Sequence, residues 1–345
     1  LGPPEILAAG GVTVDNIVTA DGRLFVQQPG GNAVHAAVGA ALWGVRCGIA
    51  GRLPADYPEA VLAALRASGL DLRALRTETE TAPLQEWFFH RADGSRVDHL
   101  HAAPEEAIAA GIGRARLDPA AAAAWEARLA ARPPGGRSFA AFRRRHPVLP
   151  ETIPDTAWPT RGLHVGPGEP AAMLALARAG RARGLVVTLD PGFAAVRLDD
   201  ETLADLLTLA DAFLPSEKEL RALCPDLAPA QAVATLGRRA RGIVCAKFGA
   251  AGALLHDRAT GCVRRVPAHP SDAVDPIGAG DAFAGGMLAG LVCGDPPAQA
   301  ALRGAAAASL AVESVGALAP LAIGAPEAAR RLAALIDLTT DRDAR

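Results

Sequence analysis

The segment Asp275-Pro276-Ile277-Gly278-Ala279-Gly280-Asp281-Ala282-Phe283 holds the residues of this chain best suited to chemistry. Gly278 and Gly280 carry no side chain where backbone N–H groups can converge, and the apolar stretch from Ala284 to Val292 reads as a helix starting there. A helix N-terminus adds the positive end of its dipole, so the loop predicts an anion nest able to hold a phosphate. Asp281 falls in the first turn, where its carboxylate is either a plain helix-start residue or a base for a bound hydroxyl. Nest and base together point to phosphoryl transfer to an alcohol. Two familiar phosphate binders are excluded. The lysines, Lys218 and Lys247, do not follow glycine as a P-loop requires. The third glycine of a dinucleotide fingerprint is replaced by Phe283, and Pro267 to Pro276 is too polar and proline-rich for the preceding strand.

Elements able to position such a site are legible along the chain. Ile6 to Ala9 and Val12 to Val14, around Gly10-Gly11, predict an opening strand that carries Asp15 at its C-terminal end. Asp21-Gly22 and Asp93-Gly94 each signal a hairpin, the second between Gln85–Arg91 and Ser95–His101, whose mixed polar and aromatic residues suit a half-exposed sheet. Asn32 is placed to cap an alanine-rich helix ending near Gly44. From Leu163 onward short apolar strands (Leu185 to Leu189, Ala212 to Leu214, Gly242 to Ala246) alternate with helical stretches, which predicts a parallel sheet covered on both faces. Residues 103–150 break this rhythm and read as a helical insertion with a loop, Arg143-Arg144-Arg145 being a solvated run that could contact a phosphate. Residues 339–345 read as a frayed tail.

Composition bounds the rest. The chain has 345 residues, half of them apolar, and a formal charge of -2, enough for one large domain and without a basic block to track nucleic acid. Five scattered cysteines lack Cys-x-x-Cys spacing and read as buried, reduced thiols. No apolar run is long enough to span a bilayer and no secretion signal is evident, so the expectation is a cytoplasmic protein without membrane contact.

With these pieces placed, the chain resembles the ribokinase-like (PfkB) family of sugar and nucleoside kinases. One signature is Gly30-Gly31-Asn32 followed by a small-residue helix and Gly48-Ile49-Ala50-Gly51-Arg52; the other is Asp275 to Phe283. The resemblance implies a three-layer α/β/α sandwich with a mostly parallel central sheet, spanning residues 1–338. It also implies a small β-sheet lid built from strands within 16–30 and 84–102, which would exclude water from the reaction. Carried over position by position, it makes Asp281 the general base, with Gly278, Ala279 and Gly280 offering N–H groups to the transferring phosphoryl. Asp15, Gly31 and Asn32 would bind the hydroxyls of a small sugar. Lys247, Gly249, Gly252 and Ser216 would border ATP, with Gly304 to Ala308 a small-residue helix suited either to the adenine or to close packing. Glu219 would serve Mg2+, while Asp275 and Ile277 stand where such kinases often build a monovalent-cation site, making K+ a candidate activator.

Two departures are visible: Ser216 replaces an asparagine, turning the segment into a Ser-x-x-Glu capping box, and Pro276 replaces a threonine. The implied activity is ATP-dependent phosphorylation of a primary alcohol on a small sugar or sugar derivative. The alternatives are a nucleoside kinase of the same fold and a sugar-binding sensor without catalysis. A homodimer through the lid is the assembly the resemblance suggests.

Overall fold

The computed structural model describes residues 2–82, 85–91, 96–101, 119–131 and 139–343. The Asp93-Gly94 turn, residues 102–118 and 132–138, and the last two residues lie outside them. The strands are β1 Ile6–Ala9, β2 Thr13–Val18, β3 Leu24–Gly30, β4 Cys47–Leu53, β5 Asp71–Thr77, β6 Gln85–His90, β7 Arg96–His101, β8 Gly162–Val165, β9 Val186–Leu189, β10 Ala212–Phe213, β11 Ile243–Lys247, β12 Ala253–Asp257 and β13 Cys262–Val266.

Nine of them form one sheet in the order β13-β12-β11-β10-β9-β8-β1-β4-β5. It is parallel from β5 through β11 and turns antiparallel at β12 and β13. Continuous apolar strands such as Ile6-Leu7-Ala8-Ala9 must bury both faces. Accordingly Ile6 and Ala8 pack with Val34, Ala37 and Val38 of the Asn32–Ala41 helix, while Leu7 and Ala9 pack with Met173 and Leu176 of the Pro170–Ala182 helix. The Ala279–Cys293 and Pro297–Val312 helices lie on the first face, those at Asp200–Leu209 and Pro229–Arg239 on the second. The three layers expected from the sequence are therefore present.

A separate four-stranded sheet has the order β3-β2-β6-β7, with β2 antiparallel to β3, parallel to β6, and β6 antiparallel to β7. Asp15 is a correction. It sits inside β2 of this small sheet, not at the end of the opening strand, because Gly10-Gly11 breaks the chain after Ala9 and lets it change sheets. The second hairpin is also less exposed than its composition suggests. Trp87, Phe88 and Phe89 are buried: Trp125 of the Pro119–Ala130 helix packs edge-on against Trp87 with ring centroids 6.1 Å apart, and Phe88 packs on the other face with Ile17 and Ile277. The Pro119–Ala130 helix of the insertion is thus docked on the small sheet. Residues 339–343 continue the Ala325–Asp343 helix, where Thr339 Oγ1 donates to Ile336 O. All five cysteines are free, but Cys262 and Cys293 are exposed. Among the described residues no helix is long and apolar enough to cross a membrane.

Candidate active site

Strand order reverses between β1 and β8, and the crevice beyond their C-terminal ends is where open α/β sheets bind ligands. Gly10-Gly11 leaves β1 here and Gly166-Pro167-Gly168 leaves β8, and both loops line a cavity of about 560 Å³. Asn32 ties the loops together: its Oδ1 accepts from Gly11 N (2.7 Å) and its Nδ2 donates to Pro167 O (3.5 Å). It does not cap its helix, whose N-cap is Gly31 at φ 97°, a conformation that suits glycine.

The same cavity receives Asp15 from the small sheet and Gly278 and Asp281 from the far wall. Asp15 is buried, with its Oδ1 accepting from Thr13 Oγ1 at 2.7 Å. A Cβ on Gly30 would fall 2.0 Å from the Asp15 carboxylate, so that strand position must be glycine. Burial, then the neighbouring Glu86 and more weakly Asp275, push the Asp15 pKa up to about 8 against the Thr13 hydrogen bond.

Gly278 is the left-handed N-cap of the Ala279–Cys293 helix, and its Cα rests on the ring of His35, which a Cβ would meet at 2.1 Å. His35 is buried and lines the cavity, its Nε2 has no partner among the described residues, and burial lowers its pKa to about 4, so the imidazole is neutral. Ala279 N donates weakly to Pro276 O (3.4 Å). The N–H groups of Gly280 and Asp281 are left by the helix geometry without an intrahelical acceptor, and the nest rests on them.

The Asp281 pKa is pushed up to about 7, by burial first and then by the fields of Asp190 and Glu219, with Lys247 and Arg143 opposing. Asp190 follows β9, and its Oδ1 accepts from Gly192 N (2.9 Å) while Oδ2 takes the Lys247 ammonium. Lys247 is no surface lysine. It ends β11, lies largely out of solvent and also approaches Gly280 O at 3.4 Å; burial works against its charge, but Asp190 and Glu219 outweigh that and raise its pKa. Its ammonium is thus already committed to Asp190.

Ser216 and Glu219 form the reciprocal capping box, with Ser216 N donating to Glu219 Oε2 (2.7 Å) and Glu219 N to Ser216 Oγ (3.4 Å). Burial, then Asp190, nevertheless raise the Glu219 pKa. Gly252 is required by the β11–β12 turn, since a Cβ would lie 2.1 Å from Val266 O; Gly249, at φ 55°, has open space around it. None of these four residues lines the substrate cavity, but Ser216 bridges to Lys247 and so shares the border of the Asp281 cluster. Gly304 packs on Phe283, which favours close helix packing for that segment.

Asp275 and Ile277, where the resemblance implies a monovalent-cation site, lie together in the loop that leads into the nest. Asp275 Oδ1 accepts from Ile277 N (3.0 Å) and meets His90 Nε2 (3.0 Å), while Oδ2 faces Gly316 N (3.5 Å). The Ile277 side chain packs with Ile17 and Phe88. The carboxylate is already surrounded by donors, one of them a histidine of β6. Among the described residues no group of three or more His, Cys, Asp or Glu is arranged to hold a metal ion.

Sequence reasoning missed Asp190, His35, His90 and Glu86, and misjudged Arg143. The signal for Asp190 was its position, directly after a buried strand and before Pro191-Gly192. Arg143 belongs to the run read as solvated, yet it lines the cavity and donates to Pro167 O.

Residues 160–323 match the pfkB family carbohydrate kinase. A cytidine kinase of Thermococcus kodakarensis is 25% identical over 293 residues, 85% of this chain and 90% of its own. An ATP-dependent ribose-1-phosphate kinase of Halopiger xanaduensis is 35% identical over 127 residues, 37% of this chain and 40% of its own. The crystal structure of Methanocaldococcus jannaschii nucleoside kinase, an archaeal member of the ribokinase family, superimposes with a TM-score of 0.65 at 18% identity, covering 96% of this chain and 99% of that one. The chain is thus similar in fold to this ribokinase-family structure along nearly its whole length, and its residues 160–323 match the pfkB family carbohydrate kinase.

Proposed function

We propose that the chain transfers the γ-phosphoryl group of ATP to a hydroxymethyl group of a small sugar or sugar derivative. The observation that carries this is the meeting, in one cavity, of Asp281 at a helix N-terminus with Asp15, Gly31 and Asn32. The relatives support the acceptor chemistry: cytidine and ribose 1-phosphate, named for two of them, both contain a ribosyl unit with a free hydroxymethyl group.

Asp15 and Asn32 orient the acceptor through its other hydroxyls. Asp281 takes the proton as the acceptor oxygen attacks, and its raised pKa matches a base working near neutrality. The N–H groups of Gly280 and Asp281 stabilise charge on the transferring group from the end of a 15-residue helix. Mg2+ bound with ATP would neutralise phosphate charge. The residues present fit that ion: Asp190, Glu219 and Asp281 crowd their negative charge around a single Lys247, and Mg2+ keeps several of its waters, needing few protein oxygens. Glu219 and Asp190 would face its hydration shell. The small sheet, joined to the nest by His90–Asp275, would act as the lid that keeps water from competing for the phosphoryl group.

The test is phosphoryl transfer from ATP and Mg2+ across pentoses, hexoses, sugar acids and nucleosides, with wild type and Asp281→Asn. Turnover on one class that is lost in the variant, with sugar binding kept, is expected. Turnover unaffected by the variant would remove Asp281 from the role of base.

A further inference from the structure

Asp275 opens the loop that leads into the nest, and it is almost wholly out of solvent, at 1% exposure. A carboxylate so placed has to be matched by donors or by a cation. Backbone N–H groups meet both of its oxygens, Ile277 N donating to Oδ1 at 3.0 Å and Gly316 N facing Oδ2 at 3.5 Å. The side-chain partner is His90, whose Nε2 lies 3.0 Å from Oδ1. An ionised carboxylate only accepts, so this ring nitrogen must carry a hydrogen and donate it.

The contact is set by β6. Phe88 and His90 are two residues apart and share one face of that strand, and Phe88 packs with Ile277 as His90 meets Asp275. The two loop residues at which the resemblance implies a monovalent cation are thus covered by the same strand face. His90 is itself nearly buried, with 6% of its side chain exposed. The carbonyl beside the carboxylate is engaged as well, since Val312 O accepts from both Val274 N (2.7 Å) and Asp275 N (3.0 Å). A potassium ion binds by exchanging its waters for a ring of oxygens. Here the oxygens of Asp275 and Val312 are directed at N–H groups instead.

We propose that His90 takes the place of the monovalent cation implied at Asp275 and Ile277, so that the reaction of this chain runs without K+. The imidazole belongs to the small sheet, so the tie at Asp275 depends on that sheet being docked, as an ion taken from solvent would not. Only the catalytic consequence rests on the kinase reading. The matching of Asp275 by His90 does not.

The test compares potassium chloride with choline chloride at equal ionic strength, in two readouts. One is kcat/KM for phosphoryl transfer; the other is the melting temperature without nucleotide or sugar, which rises when an ion binds the native state. Wild type is expected to be indifferent to K+ in both. Activation of wild type by K+, or a K+-specific rise in its melting temperature, overturns the proposal. His90→Ala leaves a buried carboxylate short of its side-chain partner, beside a space the size of an imidazole that an ion and its water can enter. This variant should lose several-fold in kcat/KM in choline, regain activity in potassium, and acquire a melting temperature that rises with K+. His90→Gln, which keeps a donor in the place of Nε2, should lose less and stay indifferent to K+. A merely structural His90 predicts instead a His90→Ala variant as indifferent to K+ as wild type, and that result also overturns the proposal. If no acceptor is phosphorylated, the melting temperatures alone decide between ion and imidazole, which keeps failure of the kinase reading separate.

Discussion

Asp281 and Asp15 share a cavity, and both are held above the ordinary carboxylate range, with opposite consequences. For Asp281, the base of the proposed reaction, the raised pKa would set the working pH. The base acts only when deprotonated, so kcat should rise with pH up to about 7 and then level off. Asp281→Asn should lower kcat by about 10²- to 10⁴-fold and abolish this limb, read from the pH–rate profile with circular dichroism as the check on folding. For Asp15 the raised pKa is a cost to stability. Below the unfolded pKa near 4 both states are protonated; between there and about 8 the unfolded chain ionises while the native residue resists, so stability falls as pH rises. Asp15→Asn should therefore raise the melting temperature more at pH 8 than at pH 5 while weakening sugar binding. A stabilisation independent of pH would mean that Asp15 is not the group responsible.

At the scale of elements, the nest is held from two sides. Below it, Gly278 rests on His35 of the Asn32–Ala41 helix; beside it, His90 of β6 reaches Asp275. The second contact joins the small sheet to the loop that leads into the Ala279–Cys293 helix, so strand and nest are placed together. His90→Ala removes the His90–Asp275 hydrogen bond and leaves Asp275 the backbone N–H groups of Ile277 and Gly316. The expected result is a several-fold loss in kcat/KM with an increase in ATP hydrolysis uncoupled from sugar, because water gains access. A variant with wild-type coupling would show that the small sheet closes without this contact. The interior of β6 relies in turn on the insertion, through Trp125 on Trp87.

Across the whole molecule, two sheets meet over one crevice: the large sheet supplies the loops after β1 and β8 and the helix starting at Ala279, the small one supplies Asp15. The Pro119–Ala130 helix packs on the small sheet, and the Phe139–Arg145 helix, seated on Ala82 and Tyr57, brings Arg143 to the cavity. Trp125, nearly inaccessible at 2% exposure, is not among the residues lining the cavity. Trp125→Ala should cost about 3–5 kcal/mol in docking of the insertion. It should raise KM for the acceptor and increase hydrogen exchange in residues 85–90, with the large sheet still protected. Unchanged KM would separate the insertion from substrate binding.

Much of this was legible in the chain itself. Strand and helix periodicity after Leu163, the glycine spacing at Gly278 and Gly280 and the position of Asp281 are local properties, set by backbone freedom, burial on two faces and the helix dipole. Asn32 was recognised as a site residue but given a capping role, since helix starts are local and its real partners, Gly11 and Pro167, are brought near only by the order of β1 and β8. The same limit hid Asp190 and His90, and made Arg143 look like a solvated charge, because whether a charged residue is exposed depends on what the fold packs around it. Lys247 shows the difference most sharply: sequence places it at a strand end, whereas the tertiary structure pairs it with Asp190, 57 residues away, and raises its pKa. Local pattern determined the elements and the chemistry at the nest. Only three-dimensional proximity decided which charges meet there, because the field of an ionised group acts through space and falls with distance regardless of chain order.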